Sequence, residues 1–235
     1  MFAQAYQAGF VSLLSSVGSK PLQLWEKHIP LTDINSSAIR RVLDEQIQSS
    51  VIEIGSSDTT KDADAGDAMA YALIHTWLGC PAPSVAASLH IRLPQFIVQL
   101  KPSLRAHCSL EVQVEDHMHA RQDHTHARRR LRMSSFQRAT VVHERITLMP
   151  MQLYHNEWNQ LQLDLPTLVR EAYGTRYVHT VAVCIHAHCR VRRIFFADEM
   201  RAEEALPVEF RLFRRLTKQQ IAQLKAEDHK RQDTP

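Results

Sequence analysis

The stretch CIHAHCRVRRIFF, from Cys184 to Phe196, packs two cysteines and two histidines into its first six residues. Thiolate and imidazole are ordinary zinc ligands, so a metal site is the first chemistry to test. The surrounding pattern speaks against it. Val181, Val183, Ile185, Ala187, Cys189 and Val191 share one parity, and alternate residues of a strand point to opposite faces. One strand through this stretch has a single apolar face and carries Cys184, His186 and His188 on the other. At about 3.3 Å of rise per residue, Cys184 and His188 stand roughly 13 Å apart, too far to close on one ion. His186 and His188 need a third ligand from elsewhere, and Cys189 points away unless a turn interrupts the strand at His188–Arg190. A thiol nucleophile with an imidazole base fares no better. Side chains at i and i+2 of one strand sit about 6–7 Å apart at Cα, usually too far for a direct hydrogen bond between Cys184 and His186.

A second cluster lies in EVQVEDHMHARQDHTHARRRLRM, residues 111–133. His117, His119, His124 and His126 surround a predicted hairpin tip. Two HxH pairs on antiparallel arms can converge on one ion, with Asp116 or Asp123 orienting them from behind. The competing expectation is a solvated loop that gains charge below pH ~6.5. The expectation for the chain is no metal and no cofactor, with these four histidines as the runner-up. Glu111, Glu115 and Asp116 are neighbouring carboxylates with no signalled partner of complementary role. With six glycines there is no Gly-rich phosphate loop, and GxGxxG, GxxxxGK[ST], HExxH and GxSxG are all missing. The chain is therefore expected not to be an enzyme.

Arginine forms the remaining constellation. Arg128, Arg130 and Arg132 share a parity, as do Arg190 and Arg192. If the two strands share a sheet, the five make a basic ridge suited to a carboxylate-rich or phosphate-rich surface. Nearby aromatics are few, and parity puts Phe195 opposite Arg190 and Arg192, which weakens a base-stacking role. Nucleic acid is thus the lesser expectation.

These side chains need strands to carry them. SLEVQVED alternates through Leu110, Val112 and Val114, WNQLQLDL through Leu161, Leu163 and Leu165, and FIVQLKP and SSVIEIG are further short strands. One helix is signed in DLPTLVREAYGT, with Pro166 in its first turn and Gly174 past its end. SSAIRRVLDEQI reads by propensity as a helix capped from Ser36 or Ser37, and equally as a strand and turn. The fold class expected is mainly all-β, an antiparallel sandwich with one or two short helices. It spans one domain over 1–215. Residues 56–70 form an acidic surface loop, and a polar tail over 216–235 carries Ile221 and Leu224 at helical spacing. The start lacks a basic n-region and an unbroken apolar run, so neither a signal peptide nor a membrane span is expected. The four irregularly spaced cysteines read as small buried hydrophobes of a reducing compartment. The net charge of +3 permits an acidic partner without demanding one.

Several stretches together resemble the cilia- and flagella-associated protein 20 family, in the same order along the chain. They are GFVSLLSSVGSKPLQLW (9–25), LEVQV (110–114), RRRLRMSSFQ (128–137), MPMQL (149–153), WNQLQLDL (158–165), AYGTRYV (172–178), CIHAHCRVRRIFFAD (184–198) and ALPVEFRLF (205–213). The likeness covers most of residues 1–213. It implies a compact sandwich similar to a carbohydrate-binding module and a structural, non-enzymatic protein of motile cilia. The implied place is the axoneme and basal body within the cytoplasmic cytoskeleton, at the inner junction where the B-tubule of a doublet closes onto the A-tubule. The implied partners are tubulin, which is acidic, the parkin co-regulated protein and other inner-junction proteins. It also implies that His186 and Cys189 serve the fold, and it aligns 37–47 with a strand and turn. The loop 56–70, the tip 117–126 and the tail beyond Leu216 depart from the family pattern.

Overall fold

A computed structural model describes residues 1–29, 38–55, 76–103, 107–117 and 126–212. The acidic loop 56–70, His119, His124, Asp123 and the tail 216–235 lie outside the described residues. Thirteen described strands run in chain order: β1 (Phe10–Ser15), β2 (Glu26–His28), β3 (Ile39–Asp44), β4 (Ser49–Ile54), β5 (Trp77–Cys80), β6 (Gln95–Pro102), β7 (Ser109–His117), β8 (His126–Ser134), β9 (Val141–Val142), β10 (Ile146–Pro150), β11 (Asn159–Asp164), β12 (Arg176–His186) and β13 (Cys189–Ala197). One sheet is ordered β11-β6-β13-β4-β3, with β1 also paired to β13, and the other β2-β5-β12-β7-β8-β10-β9. All pairings are antiparallel except β10 with β8, which run parallel. The mainly all-β sandwich expected from the alternation is what forms.

The main core lies between the sheets. Ile52, Ile54, Phe96, Val98, Leu100 and Val191 come from one side; Leu110, Val112, Val114, Leu131, Val183 and Ile185 come from the other. Burying such side chains contributes about 1.5–3 kcal/mol each before the entropy of ordering is set against it. Cys80, Cys108 and Cys189 are buried here, and all four thiols are free.

Of the segment 37–47, the described residues 38–47 form β3 and a turn, not a helix. Ile39–Asp44 pairs residue by residue with β4, so its backbone hydrogen bonds go to a neighbouring strand and not to its own next turn. The helix expected after Asp164 is α1 (Leu165–Tyr173). Asp164 accepts from the Thr167 N–H at 2.9 Å, a cap worth about 1 kcal/mol. Gly174, at φ 66, closes the other end by donating to the Arg170 carbonyl.

The residues expected to form one strand through the opening motif instead form two. β12 ends at His186, Ala187 and His188 turn the corner, and β13 begins at Cys189 in the other sheet. His188 takes φ 72, and its N–H donates to the Ile54 carbonyl while its carbonyl accepts from Ser103. The shared parity of Val181 to Val191 survives because the core continues round the corner.

The outward faces of the two sheets differ. Residues 203–212 cross the outer face of the six-stranded sheet as two single-turn 3-10 helices (Glu203–Ala205 and Val208–Phe210). Leu206 and Phe210 cap Ile97, Phe195 and Ala197, while Leu212 packs with Val51 and Trp158. The Gln99 amide holds this strap by donating to the Phe210 carbonyl at 2.6 Å. The strand β6 is therefore buried almost throughout, whereas β7 alternates buried and half-exposed residues.

Candidate functional site

The corner between β12 and β13 separates the opening motif. Cys184 and His186 lie on the outer face of the seven-stranded sheet, where Cys184 pairs across strands with Glu111. Cys189 belongs to the core. The Cys184 Sγ and His186 Nε2 stand 3.5 Å apart, so the side chains do meet although they are i and i+2. They lean together because Arg132, from β8, reaches the same nitrogen: its Nη2 donates to His186 Nε2 at 3.3 Å. Burial, then Arg132, lowers the His186 pKa to about 4. Burial, then Glu111, pushes the Cys184 thiol up to about 12, against the pull of Arg132. Near neutrality the pair is thiol and neutral imidazole, with no thiolate for attack. Among the described residues no three His, Cys, Asp or Glu side chains are grouped to hold an ion.

At the predicted hairpin tip, His117 and His126 are cross-strand partners with rings 5.3 Å apart. Asp116 does not support them. It points inward, 1% exposed, and accepts from Arg129 Nε at 3.0 Å and Thr175 Oγ1 at 2.6 Å. Arg129 also donates to the Glu144 carbonyl and lies over the Tyr173 ring. The carboxylate beside the histidines is Glu115, 3.4 Å from His126 Nδ1 and 4.0 Å from His179 Nε2. The His179 ring lies tilted against His90 at 4.6 Å, and burial lowers its pKa, with Glu115 opposing. Nothing in the sequence pairs His179 with Glu115, because the two β12 bulges that shift its register are not written in residue type.

The arginines do not form one ridge. β8 belongs to the seven-stranded sheet and β13 to the six-stranded one, so the two sets face away from each other across the sandwich. Arg190 sits in a charge network beside the strap. Its Nε donates to Glu53 at 2.9 Å and its Nη1 to Asp44 at 3.1 Å. Arg40 meets Glu53 from β3, Lys101 meets Asp44 from β6, and Trp158 Nε1 donates to Asp44. Burial would raise the Asp44 pKa, but the Trp158 bond, Lys101 and Arg190 together hold it below the usual carboxylate value. Arg192 sits at a bulge and donates to Ser16 Oγ. The bulge also overturns the parity of Phe195, which lies beneath Phe210 on the side where the Arg193 guanidinium covers that ring at 4.8 Å.

On the other outer face Arg128 and Arg130 are exposed and Arg132 is half-buried. Across β7 they oppose Glu115, Gln113 and Glu111 in order. Among the described residues only Glu111 approaches the last two, at 4.0 Å from Arg130 and 3.8 Å from Arg132, loose pairs worth well under about 1 kcal/mol each. Of the five predicted arginines, the two that are exposed, Arg128 and Arg130, both lie on this face.

The model of the CFA20 domain matches residues 1–214. A protein of Chlamydomonas reinhardtii named Cilia- and flagella-associated protein 20 is 40% identical over 213 residues, 91% of this chain and 97% of that one. Its namesake in Paramecium tetraurelia is 40% identical over 93% of this chain and 100% of that protein, and the one in Caenorhabditis elegans 37% over 91% of each. No described helix is long and apolar enough to cross a membrane.

Proposed function

We infer the function from one premise: the chain belongs to the family of the CFA20 domain. It is a cilium- and flagellum-associated protein, as its relatives are named. The finer reading we propose is a non-enzymatic structural component of axonemal doublet microtubules, bridging the A- and B-tubules at the inner junction. In this reading it meets tubulin, the parkin co-regulated protein and other junction proteins. The neutral Cys184–His186 pair supports a passive rather than a catalytic role.

One observation carries the proposal. The outer face of β8 presents Arg128, Arg130 and Arg132 without the strap that covers the opposite sheet. An acidic polymer wall is the natural complement of such a face. Contacts repeated along a lattice need little affinity per copy, since avidity multiplies them. Arg190 and Arg192 have no part in this docking, because they serve the opposite face.

The test is a tagged chain with Arg128→Glu and Arg130→Glu together, expressed in ciliated cells that lack the native copy. The variant is expected to fold, to reach the cilium and to be lost from doublets washed at moderate salt. Retention at wild-type levels overturns the docking role of this face.

A further inference from the structure

The arginine column of β8 has a second column beside it. β10 runs parallel to β8 in register, with Ile146 opposite Arg130 and Leu148 opposite Arg132. Thr147 and Met149 take the inner side, where Thr147 meets the Tyr173 hydroxyl and Met149 packs on the core. Ile146 and Leu148 therefore face outward, half-exposed, and join neither the main core nor the two smaller clusters. β9, on the far side of β10, sets Val141 beside Leu148 with 39% exposure and so widens the aliphatic lane there. The result is two lanes about 5 Å apart, one cationic and one aliphatic, with side chains repeating every ~7 Å along each.

We propose that this two-lane face docks an extended segment of a partner protein in which acidic and aliphatic residues alternate. The proposal rests on the docking role of the β8 face and specifies what that face selects. An extended chain standing edge-on over the groove sends successive side chains left and right. A period of two then places every acid over the arginine lane and every aliphatic residue over the Ile146–Leu148 lane, which Val141 widens beside Leu148. The ~7 Å repeat of the segment matches that of the sheet because both are β-strands. Burial of the aliphatic side chains excludes water from the neighbouring ion pairs, which strengthens them. A single-stranded nucleic acid would satisfy the arginines alone. Phe, Tyr and Trp are missing from β8, β9 and β10, so its bases would find no stacking platform there.

The experiment uses the purified full chain and fluorescence anisotropy at low salt. Three labelled probes are compared: a heptapeptide of alternating glutamate and leucine, its isomer with the same residues in two blocks, and oligothymidylate. The alternating peptide is expected to bind about tenfold more tightly than the blocked isomer, the size of two lost aliphatic contacts. Ile146→Ser with Leu148→Ser should erase that preference while both peptides keep their salt-sensitive binding. Equal binding of the two isomers by the unmodified chain overturns the proposal, as does displacement of the alternating peptide by oligothymidylate. If the isomers bind alike while Arg128→Glu with Arg130→Glu still empties the doublets, the pattern selection fails and the docking role stands. If the alternating peptide wins while the doublets keep that variant, the selection stands and the doublet reading fails.

Discussion

The two outward faces of the sandwich use arginine in opposite ways. On the six-stranded side, Arg190 is committed to Asp44 and Glu53, carboxylates that are 1% and 4% exposed. The strap from Glu203 to Leu212 crosses the same face. On the seven-stranded side, Arg128 and Arg130 stand in solvent with loosely placed acids behind them. The same side chain stabilises the fold in one place and is left over for a partner in the other. Burial decides which: a desolvated carboxylate must have its cation, whereas a hydrated arginine contributes little to folding.

That contrast can be broken by experiment, and the largest effect belongs to the covered face. Arg190→Ala removes charge-assisted hydrogen bonds from two buried carboxylates, which keep Arg40, Lys101 and Trp158, and should cost about 3 kcal/mol, a fall in Tm of roughly 9 °C. Thermal unfolding near neutral pH checks this, and a loss below 1 kcal/mol would dissolve the distinction between the faces.

A smaller effect separates the faces by pH. The folded pKa of His186 is about 4, below its unfolded value of 6.5, so the unfolded chain takes up the proton first. Stability is therefore full above pH 6.5 and declines as pH falls towards 4, by about 2–3 kcal/mol. His179 and His188, also lowered, add in the same direction. Asp44, depressed, contributes its stability above pH 3.8 and loses it only as pH falls below that value. Urea unfolding followed from pH 7.5 to pH 4.5 should show the decline, and His186→Gln should flatten it in part. An unchanged slope in that variant would mean that the imidazole is already charged in the fold.

The smallest effect is expected on the open face. Arg128→Glu with Arg130→Glu should change unfolding free energy by about 1 kcal/mol or less. A drop as large as that of Arg190→Ala would make these arginines structural, and the open face would lose its claim to a partner.

Much of this division is written in the strands themselves. β7, SLEVQVEDH, alternates apolar and polar residues because only one of its faces is covered, and its neighbour β8 shows where the arginines emerge. α1 is legible from Asp164, Pro166 and Gly174, since each acts on its own turn of backbone. Cys184 and His186 were legible as outward residues, but their contact was not, because Arg132 from another strand draws them together. The grouping of Glu115 with His179 and His90 was illegible for a similar reason: bulges and a loop bring it about.

By itself the sequence determined the family, the β-class, the helix after Asp164 and the parity that turns Arg128, Arg130 and Arg132 outward. Local periodicity and capping act over a few residues, so composition in order suffices for them. Only the tertiary structure decided that β12 and β13 part at His188 into different sheets, that a strap covers one face, and that Arg190 is drawn into buried carboxylates while Arg130 stays in solvent. Which sheet a strand joins depends on pairings between residues far apart in the chain, and one bulge or corner re-aims every side chain beyond it.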